Sequence, residues 1–122
     1  MKISVAGTGY VGLVTAVCLA EKGNDVTCLD IDEDKISLLQ KGISPIFEPG
    51  LEELMKKNKD NITYTNDYLK AYNAAQVIII GVGTPEKKDG SANLKYVYEV
   101  ARQIAQTVEH DCVVIAKSTV SE

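Results

Sequence analysis

Three glycines, Gly7, Gly9 and Gly12, interrupt an otherwise apolar run near the start of the chain, and Asp30 follows eighteen positions after the last of them. Glycine in such a run costs stability, so something must need it. The G-x-G-x-x-G spacing, placed after a strand pattern and at the opening of a helix pattern, is suited to cradling a pyrophosphate. Gly7 permits the tight turn out of the first strand, Gly9 lets a pyrophosphate approach the backbone with no Cβ in the way, and Gly12 lets the helix pack closely on the strand. The helix start adds free N–H groups and a partial positive charge. Asp30 ends the next strand pattern, where its carboxylate can accept hydrogen bonds from both adenosine ribose hydroxyls. Charge-assisted bonds of that kind are worth about 1.5–3 kcal/mol each, whereas a 2′-phosphate would meet like charge. The pattern therefore predicts a site that takes NAD in preference to NADP. The alternatives are a glycine-rich turn without a ligand and a helix-capping role for Asp30, a role for which Asp32 is better placed.

These residues need a scaffold of alternating strands and helices. Short apolar runs rich in β-branched residues occur at Ile3 to Ala6, Val26 to Leu29, Ile62 to Thr65, Val77 to Ile80 and Val113 to Ala116. Helical patterns lie between them, which predicts a doubly wound α/β fold of the Rossmann type, a parallel sheet in the order 3-2-1-4-5. The first helix, from about Tyr10 to Lys22, is apolar nearly all round, is expected to be largely buried, and stops before Gly23. The second has Asp32 as its N-cap, Glu33 and Asp34 in its first turn, Ile36 and Leu39 facing inward and Gly42 as its stop. A short helix from Leu51 to Lys57 follows the "SPIFEPG" connection, with Glu48 expected to cap it and Pro49 at its first position. Another short helix covers Asp67 to Tyr72. The last is the clearest, with Leu94, Val97, Ala101, Ile104, Ala105 and Val108 forming a stripe at helical spacing. In the irregular stretch Gly81 to Asn93, Lys87 and Lys88 read as a solvated loop at the carboxyl edge of the sheet, where ligands bind, and His110 falls in a turn with a surface rather than a catalytic role.

The chain of 122 residues is 45% hydrophobic and 25% charged, with a net charge of -4. That is the composition of one soluble globular domain, and it gives no electrostatic reason to bind nucleic acid. There is no apolar run of membrane-spanning length and no cleavable signal pattern, so a cytoplasmic protein is expected. Cys18, Cys28 and Cys112 are an odd number, far apart and inside apolar segments, which predicts reduced, buried thiols and no metal site.

The stretches "AGTGYVGLVTAVCLAEKGNDVTCLDIDEDKI", "IFEPGLEEL", "GTP" with "DGSANLKYV", and "KSTV" together resemble the UDP-glucose 6-dehydrogenases of the UDP-glucose/GDP-mannose dehydrogenase family, over essentially the whole chain. The resemblance implies oxidation of the C6 alcohol of a nucleotide sugar to a carboxylate in two NAD-dependent steps, with a cysteine nucleophile holding the aldehyde-level intermediate as a thiohemiacetal. It implies backbone contacts from Tyr10 and Val11 to the pyrophosphate, ribose contacts from Asp30 and Lys35, and Thr84 near the nicotinamide half. Thr119, in "STV", would approach the nicotinamide and the catalytic water; the alternatives are a solvated first-turn lysine for Lys35 and plain strand-end hydroxyls for Thr84 and Thr119. The resemblance also implies a role in polysaccharide biosynthesis, a nucleotide-sugar substrate and a homodimer.

In that family the nucleophilic cysteine and most sugar-binding residues come from a central helix and a later domain, and none of the three cysteines here matches that nucleophile. The chain, residues 1–122, is therefore expected to be the N-terminal NAD-binding fragment of a longer enzyme, binding cofactor without turnover. UDP-glucose is the first choice of substrate, with GDP-mannose or an N-acetylated UDP-hexosamine next. Two other readings share the glycine fingerprint: a stand-alone NAD-binding regulatory module, of the kind that gates potassium transport, and the cofactor domain of a hydroxyacid-type dehydrogenase. "FEPGLEEL" and "KSTV" speak for the first reading over the regulator.

Overall fold

In the computed structural model, residues 1–81 and 95–116 are described. Five strands, β1 (Lys2–Ala6), β2 (Asp25–Leu29), β3 (Ile62–Thr65), β4 (Val77–Ile80) and β5 (Val113–Ala116), form one sheet in the order β3-β2-β1-β4-β5. Every pairing is parallel, with Ile3 opposite both Val26 and Val77, and Val26 opposite Ile62. The helices are α1 (Tyr10–Glu21), α2 (Glu33–Gln40), α3 (Leu51–Lys57), α4 (Tyr68–Tyr72) and α5 (Lys95–Thr107).

The side-chain alternation of the strands builds two cores. Val5, Val26, Cys28 and Ile79 meet Leu13, Val17, Leu39 and Met55 on the face covered by α1, α2 and α3. Leu29, Ile78 and Ile80 meet Tyr72, Val100 and Ile104 on the face covered by α4 and α5. Burial on both faces explains why the inner strands read as unbroken apolar runs. The edge strand β5 is exposed along its length, Val113 included.

Local chemistry sets the helix ends. The Asp32 carboxylate accepts from the N–H groups of Asp34 and Lys35, and the Asp67 carboxylate caps α4 in the same way through Leu69 and Lys70. Gly23 and Gly42, at φ of +95° and +83°, follow the ends of α1 and α2 in the left-handed conformation that glycine adopts freely.

Three expectations are corrected. Helix α3 begins at Leu51 with Gly50 as its N-cap at φ +82°, so Pro49 precedes the helix and Glu48 does not cap it. The Glu52 carboxylate instead reaches back to the Ser44 N–H at 2.8 Å. The buried face of α5 carries Val100 and Ile104, while Ala101 and Ala105 are exposed, because bulky side chains outweigh alanine in choosing the face that seats on the sheet. Leu94 lies outside the described residues. Helix α1 buries Leu13, Ala16, Val17 and Ala20 but leaves its opposite side partly open, and there Cys18 is exposed. His110 lies in a bend and is exposed, as expected, and there its Nε2 donates to the Ala75 carbonyl at 2.7 Å.

Candidate functional site: a dinucleotide cradle at the sheet's switch point

The strand order reverses between β1 and β4, and the chain leaves the carboxyl ends of β1, β2 and β4 at Gly7, Asp30 and Gly81. The ladder continues past the strands there: the Gly7 N–H donates to the Leu29 carbonyl and the Gly81 N–H to the Ala6 carbonyl, each at 2.7 Å. Such a reversal opens a crevice beyond the strand ends, where α/β sheets bind ligands.

The three glycines of the turn are needed for different reasons. Gly7 stands at φ +101°, a conformation that a side chain would strain. A Cβ on Gly12 would lie 2.1 Å from the Gly7 carbonyl oxygen, so the closeness of α1 to the turn depends on its absence. Gly81 joins the same contact, since a Cβ there would lie 3.0 Å from the Gly12 Cα. Gly9 differs: its backbone is extended, at φ -72° and ψ -170°, and among the described residues a Cβ would meet nothing within 4 Å. No described residue requires glycine at position 9, and a side chain there would fill the space in front of the turn.

That space is faced by the start of α1. The first intrahelical bond runs from the Leu13 N–H to the Gly9 carbonyl at 2.9 Å, which leaves the N–H groups of Tyr10, Val11 and Gly12 without helical partners. Where Asp32 and Asp67 cap α2 and α4, Gly9 offers α1 no side-chain cap, and its first turn holds no acid. An anion at the turn would supply the missing acceptors. The Tyr10 side chain is exposed, and the Glu48 carboxylate beside its hydroxyl raises the pKa of the phenol.

Asp30 stands at the end of β2. Its Oδ2 accepts from the Thr8 N–H at 2.9 Å and from the Thr8 hydroxyl at 2.5 Å, and its Oδ1 accepts from the Asp32 N–H at 3.0 Å. The Lys35 Nζ is 3.9 Å from Oδ2. Burial pushes the Asp30 carboxyl pKa up, but the Thr8 and Asp32 donors and the Lys35 charge outweigh it and hold the group below its ordinary value. Ile31, 78% exposed, puts an apolar surface next to this carboxylate.

Gly7, Gly9, Tyr10, Val11, Gly12, Asp30 and Lys35 are thus brought to one edge of the sheet, whereas Thr84, Thr119, Lys87 and Lys88 lie outside the described residues. Sequence reasoning missed Thr8, Ile31 and Gly81. The Thr8–Asp30 contact spans 22 residues, so only the fold reveals it. Gly81 directly after a strand and an aliphatic residue after the strand-end acid were the signals for the other two.

Other features lie elsewhere. A groove of about 770 Å³ runs along the outer edge of β3, with Met55, Ile62 and Tyr64 in its wall and no residue of the glycine turn. Burial and the Asp30 charge push the Cys28 thiol up to about 12, which leaves it protonated near neutral pH. Among the described residues no cluster of three or more His, Cys, Asp or Glu could hold a metal, and no helix is long and apolar enough to cross a membrane.

A turn of this shape at the switch point of a 3-2-1-4-5 parallel sheet makes the chain a dinucleotide-binding domain of the Rossmann type. The model of the UDP-glucose/GDP-mannose dehydrogenase family, NAD binding domain, matches residues 1–122, and the chain belongs to that family. It is 55% identical over 122 residues to the UDP-glucose 6-dehydrogenase YwqF of Bacillus subtilis, covering 98% of this chain and 28% of that protein. It is 50% identical over 123 residues to the UDP-glucose 6-dehydrogenase of Rhizobium meliloti, again covering 98% and 28%. Among solved structures, the GDP-mannose dehydrogenase of Pseudomonas aeruginosa superposes with a TM-score of 0.92 at 40% identity, over 98% of this chain and 29% of that one. The chain thus spans little more than a quarter of the length of these relatives.

Proposed function

We propose that this chain is the amino-terminal cofactor domain of a nucleotide-sugar 6-dehydrogenase that oxidises UDP-glucose to UDP-glucuronate. The observation that carries the reading is the open cradle at Gly9, in front of an uncapped helix start and beside a strand-end carboxylate. Bound NAD would supply the hydride acceptor, and taking an alcohol to a carboxylate removes two hydrides. In this reading Gly9 keeps the space clear, the N–H groups of Tyr10 and Val11 donate to the pyrophosphate, and Asp30 with Lys35 beside it holds the adenosine ribose. The Asp30 charge opposes a 2′-phosphate. Thr84 and Thr119 serve the nicotinamide half, with Thr119 approaching the water that takes part in the reaction.

The nucleophile and the sugar pocket belong to the rest of the polypeptide, so residues 1–122 alone bind NAD without forming NADH. UDP-glucose is preferred because the two relatives described as UDP-glucose 6-dehydrogenases exceed the GDP-mannose dehydrogenase in identity. A cytoplasmic homodimer is part of the same reading and rests on the family resemblance.

The test is to supply the complete gene product with NAD and, in turn, UDP-glucose, GDP-mannose and UDP-N-acetylmannosamine, and to follow NADH. Two NADH per UDP-glucose, formed faster than with the other sugars, is the expected result. Reduction with GDP-mannose alone overturns the substrate, and no reduction with any sugar nucleotide returns the chain to a regulatory module or a hydroxyacid-type dehydrogenase.

A further inference from the structure

Thr8 occupies the position between Gly7 and Gly9, is fully buried, and spends both of its donors on one oxygen of Asp30. An ionised carboxylate offers about four lone-pair sites. The Thr8 donors occupy those of Oδ2, the Asp32 N–H takes one on Oδ1, and Oδ1 keeps an open site. Three donors from two segments fix the torsion of the carboxylate before any ligand arrives, which removes an ordering cost from binding.

We propose that the Thr8 hydroxyl is the positioning group of the ribose site: it anchors Oδ2 of Asp30 so that Oδ1 faces the adenosine ribose, and thereby sets the preference for NAD over NADP. The proposal rests on the reading of Asp30 as the ribose acceptor. The hydroxyl can be tested separately from the backbone, because valine and alanine keep the N–H donor at position 8 and lack the hydroxyl.

The surroundings of Asp30 define what its titration can depend on. Lys35 of α2 approaches Oδ2 from one side, the Cys28 thiol lies behind it on β2, and the Asp32 carboxylate is turned to the start of α2. At the end of β3, Asn66 holds the Glu33 carboxylate at 3.1 Å. Removing the Thr8 hydroxyl deletes a bond to the charged form of Asp30, so protonation moves to higher pH and NAD affinity fades earlier on acidification.

The experiment measures NAD and NADP affinity calorimetrically for the complete native polypeptide and for its Thr8→Val, Thr8→Ala and Thr8→Ser variants, from about pH 8 to about pH 4.5, with melting curves alongside. Thr8→Val should bind NAD about tenfold more weakly at neutral pH. Its affinity should also fall at a higher pH than in the parent, its discrimination against NADP should narrow, and Thr8→Ser should restore all three. Thr8→Ala carries the same expectations should valine prevent folding. Parental affinity and acid profile in the folded valine or alanine variant overturns the proposal, as does a loss that serine fails to rescue. An Asp30→Ala variant that keeps full NAD affinity instead overturns the ribose assignment itself.

Discussion

Gly12 packs so closely on Gly7 that a Cβ at position 12 would sit 2.1 Å from the Gly7 carbonyl oxygen. Contact at that distance with backbone cannot be relieved by turning a side chain. Helix α1 must move off β1 or the turn must open, and either change disturbs Leu13 and Val17, both fully buried in the core beneath α1.

Gly12→Ala is therefore expected to destabilise the fold by at least about 2 kcal/mol, in the upper part of the range for overpacked cores. Chemical denaturation checks this, and a variant as stable as the parent would show that α1 does not pack as described.

Asp30→Ala should weaken NAD binding and relax the discrimination against NADP, as calorimetric titration with both cofactors would register. The same change strands the buried Thr8 hydroxyl and removes the acceptor of two N–H groups. A stability loss of about 1–3 kcal/mol should accompany it. Asp30→Asn keeps a side-chain oxygen and should lose less stability while still losing the charge that opposes a 2′-phosphate. Unchanged affinities for both cofactors in either variant would contradict the ribose assignment.

Tyr72 presents the opposite case, a hydroxyl in the core between β1, β4, α4 and α5 that is fully buried and has no hydrogen-bond partner among the described residues. Its ring is well packed and tilts against Tyr68 with centroids 6.4 Å apart. Tyr72→Phe keeps the ring and removes the unsatisfied oxygen, so it should leave stability unchanged or raise it by about 1 kcal/mol. A clear loss in thermal unfolding would mean that the hydroxyl has a partner in solution.

The inner strands were legible because both faces of the sheet are covered there, and the edge strands because they too are written as short runs rich in β-branched residues. The runs at Ile62, Val77 and Val113 begin and end where β3, β4 and β5 do. The caps at Asp32 and Asp67 were legible because capping is local. The errors came where a side chain's partner is set by tertiary packing. Glu48 looked like a cap but faces Tyr10, because Gly50 at φ +82° turns the chain between it and α3. Ala101 and Ala105 matched a helical stripe, yet alanine buries too little surface to decide how α5 sits. Within the site, the glycines and Asp30 announce themselves by spacing, whereas Thr8 and Gly81 gain their meaning only when β1, β2 and β4 end side by side.

Gly9 gives the most direct test of the cradle, because a side chain there meets no described residue and would stand where the pyrophosphate is placed. The measurement is the NAD affinity of Gly9→Val in the complete gene product, with its melting temperature as the control for folding. A variant that melts like the parent and no longer binds NAD is the predicted result. A variant that melts like the parent and binds NAD with full affinity would contradict the placement of the cofactor at this turn.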